Sequence, residues 1–173
     1  MAVGSVRSVL VVLLMGLLST QAGARDEPER ALKAGTFHID EHLRPVVRDM
    51  LARSATFRRQ WNVVTEGRHV HVAVFLTDGT LGPACRARTT IKKYSSGLLL
   101  AVVLIPPKGD YPELLAHELE HMIEQIEGVN LAALARSGST GVRHRPDGAF
   151  ETVRAQNAGL AVSAELKVAT RAD

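Results

Sequence analysis

Residues 111–128 read YPELLAHELEHMIEQIEG, and inside them His117, Glu118, Leu119, Glu120 and His121 spell H-E-x-x-H. At ~100° per residue, side chains four apart on a helix fall about 40° apart, so both imidazoles can reach one metal ion. Glu118 lies ~100° round from His117, near enough to take a proton from a water at that ion and too far round to be a ligand. The flanks predict a real helix. Asp110 with Glu113 forms a capping-box pattern, Pro112 fits the first turn and Gly128 supplies a stop. Leu115, Leu119, Met122 and Ile126 make one apolar stripe, with the histidines on nearly the opposite side. Glu113, Glu120, Glu124 and Glu127 fill a third sector, expected to be solvated.

Working outward, residues 69–76 alternate and are β-branched, predicting a strand closed by an Asp78-Gly79 turn. His69 and His71 share one face of it and form a weaker H-x-H alternative, read as an exposed strand face. Residues 87–94 predict a polar edge strand. Residues 98–105 are so continuously aliphatic that both faces are expected to be covered. Upstream, Val46, Val47, Met50 and Leu51 predict a helix, and Ser54 can cap a second one carrying Phe57, Trp61 and Val64, closed by Gly67. Downstream, residues 130–136 predict a short helix and residues 137–148 a surface loop beside the cleft. Asp147 is placed to cap a last helix from about residue 149 to 167, with Glu151, Ala155, Ala158 and Val162 on one face.

Residues 1–24 read as a secretory signal peptide. Arg7 precedes an apolar run over residues 9–18, and Ala22-Gly23-Ala24 offers a small-residue cleavage site. Residues 25–173 would then form one domain, secreted or periplasmic, with a mobile terminus to residue 36 and no stable membrane insertion after cleavage. Losing Arg7 lowers the net charge from +3 to about +2, too weak an excess to imply nucleic acid as partner. Cys85 is the lone cysteine, so no disulfide can staple the chain, and it is expected to be buried and inert.

A buried strand leading through a short loop into an H-E-x-x-H helix resembles the zinc-dependent peptidases of the zincin class. That resemblance implies an α+β fold: a small zincin-like domain with N-terminal helices, a short, mostly antiparallel sheet, the signature helix and a C-terminal helix. It also implies a third zinc ligand. The metzincin continuation is absent, since Glu124 and Glu127 stand where Gly and His belong. The peptide deformylases use a cysteine ligand, but the surroundings of Cys85 do not match their motif. The thermolysin-like gluzincins take a glutamate from a downstream helix, which points to Glu151, with His144 as the alternative. The stretch from residue 111 to 166 is also similar to a group of small secreted bacterial proteins. Ala155 stands where gluzincins often carry an Asp that orients a histidine, so that support has to come from elsewhere. The resemblance implies Zn2+ held by His117, His121 and Glu151, with Glu118 as general base on peptide or cell-wall substrates. His144, Arg143, Arg145 and Arg154 are the candidates for stabilising the transition state. A non-catalytic extracytoplasmic zinc-binding or interaction module is the rival expectation.

Overall fold

The computed structural model describes residues 36–77, 81, 86–138 and 140–172. The expected signal peptide, most of the terminus expected to be mobile, the expected Asp78-Gly79 turn and Cys85 lie outside the described residues. Strand β1 (Phe37–Ile39) leads through a 3-10 turn into helices α1 (Arg44–Arg53) and α2 (Ala55–Glu66). Strands β2 (Val70–Leu76), β3 (Arg88–Lys93) and β4 (Leu99–Ile105) follow, then the signature helix α3 (Tyr111–Ile126) and α4 (Leu131–Ser137). A hairpin of β5 (Val142–His144) and β6 (Phe150–Thr152) feeds the long helix α5 (Val153–Ala172). Among the described residues no helix is long and apolar enough to cross a membrane.

The fold is α+β, but its main sheet is mixed where a mostly antiparallel one was expected. The order is β1-β2-β4-β3, with β1–β2 and β2–β4 parallel and only β3–β4 antiparallel. The cause lies in the connections. Helices α1 and α2 carry the chain back between β1 and β2, so those strands run the same way, while β3 and β4 meet through the tight turn after Tyr94.

Helices cover one face of this sheet. Phe37, Ile39, Val72, Val74, Ala101, Val103 and Ile105 point into it and share a core with Val47, Met50, Phe57, Trp61, Leu115 and Leu119. The other face is open: Leu100 and Val102 are 36% and 40% exposed, so β4 is not covered on both sides as its composition implied. The stripe of α3 is buried as expected at Leu115, Leu119 and Met122, with Ile126 packed against its edge.

Helix α5 lies close along α3 because Gly159 allows it. A Cβ at Gly159 would come within 2.7 Å of the Glu113 carbonyl oxygen and 3.3 Å of the His117 Cβ. Ala155, Ala158 and Val162 are buried on the same side, as their spacing predicted. The start of this helix differs from the expectation. Asp147 caps nothing; Thr152 does, its Oγ1 accepting from the Ala155 N–H at 3.0 Å. Glu151 therefore sits on β6, just ahead of the helix. Residues 142–144, expected in a loop, are the partner strand of that hairpin.

The far end of α5 is tied to the α1–α2 corner by Glu165. Ser54 Oγ and Thr56 Oγ1 each donate to its carboxylate at 2.6 Å, and Ser54 Oγ also accepts from Phe57 N as the helix cap. Burial pushes the Glu165 carboxyl up, but the hydrogen bonds from Ser54 and Thr56 outweigh it and hold the group below its ordinary value of 4.5. A depressed carboxylate contributes stability above its unfolded value and loses it as pH falls through the folded one. Glu165→Gln is expected to cost about 1–3 kcal/mol at neutral pH. The gap in Tm from wild type should narrow once the pH drops below 4.5, as thermal melts across that range will read.

Candidate metal centre

Helix α3 presents His117 and His121 one turn apart, their ring centroids 4.9 Å apart and nearly perpendicular. Glu151 reaches them from β6, its Oε1 3.3 Å from His117 Nε2. One donor atom from each of His117, His121 and Glu151 lies within 4.8 Å of the others, so this group could hold a metal ion. Donors ~2.1 Å from one ion at tetrahedral angles stand about 3.4 Å apart, so a small contraction closes the set. The Glu151 Oε1 atom is buried and, although near His117, is not aligned for any hydrogen bond. A buried carboxylate oxygen without a donor is costly, and a cation between it and the two rings would satisfy it.

The two imidazoles differ in their surroundings. Burial lowers the His117 pKa below 6.5, against the pull of Glu151, and so favours the neutral ring a metal needs. Burial also acts downward on His121, but the Glu124 hydrogen bond and the charges of Glu118, Glu124 and Glu151 reverse it and raise the net value. With Nδ1 against Glu124, His121 has Nε2 left as a donor, and a divalent cation bound there would take the place of the second proton.

Glu124 fills the orienting role for which no residue was found in the sequence. Its Oε2 stands 2.9 Å from His121 Nδ1, and its Oε1 accepts from Thr152 Oγ1 at 2.8 Å. The same Thr152 hydroxyl caps α5 and adjoins Glu151, so a single buried side chain connects the two elements that carry donors. The sequence predicts a solvated sector for Glu124 and Glu120, but they are 2% and 1% exposed. Helices α2 and α5 cover that side of α3. Arg59 Nη2, Gln60 Nε2 and Arg154 Nε donate to Glu120 at 2.9, 2.6 and 2.7 Å.

Glu118 is 5% exposed and accepts from Thr89 Oγ1 of β3 at 2.6 Å. Burial raises its pKa above the usual glutamate value, with the Thr89 hydrogen bond opposing. Two cavities of about 290 and 530 Å³ meet at the cluster, and His117, Glu118, Arg145 and Glu151 line both. Of the other residues weighed from the sequence, His144 and Arg143 are exposed and line neither cavity, His144 resting on Phe150. Arg154 is engaged by Glu120 and Glu127 on another side of α3. His69 and His71 are exposed on and beside β2, apart from the cluster. The sequence points to no site role for Thr89, and it places Glu124 among solvated acids. An acidic residue three places after His121 was the available signal for Glu124.

No family profile matches this chain, and no curated protein or solved structure does either.

Two substitutions test how the cluster is held. Glu124→Gln is expected to weaken metal affinity by about 10–100-fold in chelator competition. Gly159→Ala should lower both Tm and metal affinity, since the new methyl meets backbone rather than a movable side chain.

Proposed function

We propose that this chain is a zinc-dependent hydrolase of peptide bonds acting outside the cytoplasm. The observation that carries the reading is the convergence of His117, His121 and Glu151, with Glu118 on the same cavities. Two imidazoles and one carboxylate suit zinc, and three protein ligands are the number that catalytic zinc sites use. A zinc ion held there supplies the positive charge that polarises a carbonyl and brings the pKa of water toward neutrality.

The chain's own residues account for the proton. Glu118 sits one position beyond the first histidine, its carboxyl raised by burial above the ordinary glutamate value, which makes it a stronger base. Thr89 fixes one of its oxygens, leaving the other to accept a proton from water and hand it to the departing amine. Glu124 keeps His121 in the tautomer that presents Nε2.

Strand β3 supports a peptide as substrate. It is one edge of the sheet, pairing among the described residues with β4 alone, and residues Ala87, Arg88, Thr89, Thr90, Ile91 and Lys93 line the larger cavity. An extended peptide can add to such an edge through its backbone, beside Glu118. The extracytoplasmic location rests on the leader-like residues 1–24.

The purified full chain is expected to carry one zinc per molecule, and Glu151→Ala to lose most of it, by elemental analysis. Glu118→Gln should keep the zinc while peptide hydrolysis falls by about 10²-fold or more. Zinc-loaded wild type that cleaves neither peptides nor cell-wall fragments would leave the non-catalytic metal-binding module as the reading.

A further inference from the structure

Hydrolysis of an amide places negative charge on the former carbonyl oxygen, and a cationic or N–H donor aimed at that oxygen is usually the largest single aid to the reaction. The sequence leaves four candidates for that donor. Arg154 is engaged by Glu120 and Glu127, and Arg143 and His144 line neither cavity. Arg86 lines only the smaller cavity, where it pairs with Glu113 at 2.8 Å. Arg145 alone of these cations lines both, and so stands where the two cavities meet.

The hairpin turn aims it there. Arg145 Nε lies 3.5 Å from Asp147 Oδ1, and Nη1 lies 3.9 Å from Glu151 Oε2. Glu151 thus turns Oε1 toward His117 and Oε2 toward the guanidinium, so the guanidinium and any ion held by Oε1 border one space. A guanidinium offers five N–H donors in a planar fork, which suits it to an oxygen that gains negative charge. The Arg145 side chain is 29% exposed, which limits competition from water.

We propose that Arg145 is a catalytic residue whose guanidinium binds the carbonyl oxygen of the scissile amide and carries the charge it gains. The proposal rests on the hydrolase reading above and deepens it. Water loses a proton to Glu118 as its oxygen bonds to the carbonyl carbon, and the C=O π pair moves onto the oxygen facing Arg145. The pair then returns, the C–N bond breaks, and the amine leaves with the proton from Glu118.

The test uses Arg145→Met and Arg145→Lys in the zinc-loaded full chain, with three readouts: zinc affinity by chelator competition, steady-state kinetics, and calorimetric binding of a peptide phosphonate as tetrahedral anion. Binding of the matching amide peptide is measured in the Glu118→Gln background. Arg145→Met is expected to lower kcat and phosphonate affinity by about 10²-fold or more, with zinc and amide-peptide affinities within about threefold of wild type. Arg145→Lys should recover part of both losses. Zinc affinity falling in step with kcat would reduce Arg145 to a positioning residue for Glu151 and overturn the proposal. So would equal weakening of phosphonate and amide, or no change at all. Wild type that binds zinc yet neither cleaves peptides nor holds the phosphonate sinks the hydrolase reading itself, and this inference with it.

Discussion

Helix α3 carries Glu118, Glu120 and Glu124 below the protein surface, and a buried carboxylate must be met by donors or it destabilises the fold. Each is met by a different part of the chain. Glu118 draws the edge strand β3 through Thr89, and Glu120 draws α2 and α5 through Arg59, Gln60 and Arg154. Glu124 draws the end of β6 through Thr152. The elements that wall the candidate metal centre are therefore those that satisfy the charges of the helix presenting its histidines. Packing of the aliphatic stripe fixes where α3 lies on the sheet, and the carboxylates fix what gathers round it.

That division explains what could be read in advance. The signature helix, its Asp110 cap, the Ser54 cap and the strands on either side of the Tyr94 turn are written in local periodicity and turn chemistry, and the structure has them. The burial of Glu120 and Glu124 is not local. Their donors lie 61, 34 and 28 residues away at Arg59, Arg154 and Thr152, and a helical wheel shows only that a sector is acidic, not that another element covers it. Strand β1 spans only three residues, too few for alternation to register, and local pattern does not say that β3 pairs on the far side of β4, which leaves β2 and β4 adjacent and parallel. The aliphatic run of β4 misled because composition does not say whether a second layer exists to cover Leu100 and Val102.

Glu151 lies on a different element from the one its spacing predicts. Its spacing from Ala155, Ala158 and Val162 placed it on the face of a helix, yet it lies on β6, one residue before the cap. The approach survived the change because the small residues that follow do bring α5 against α3, and Gly159 brings it closest beside His117. A donor at the end of a two-stranded hairpin is aimed by the pairing of Arg143 with Glu151 as well as by the helix behind it. Holding it at both sides limits its freedom more than a helix terminus alone would, and a metal ligand needs that restraint.

The electrostatics of the cluster also favour a cation at its centre. Glu118, Glu124 and Glu151 all act on His121, and His117 stands between Glu151 and Arg86. Thr89 and Thr152 supply neutral donors to Glu118 and Glu124, and Arg145 Nη1 stands 3.9 Å from Glu151 Oε2. Hydrogen bonds from hydroxyls ease the desolvation of a carboxylate without cancelling its charge. Three acidic groups round two imidazoles thus leave a local excess of negative charge. A proton on His121 relieves one unit of it; a divalent ion there would relieve two and would meet the buried Glu151 Oε1, so the arrangement could hold a metal ion.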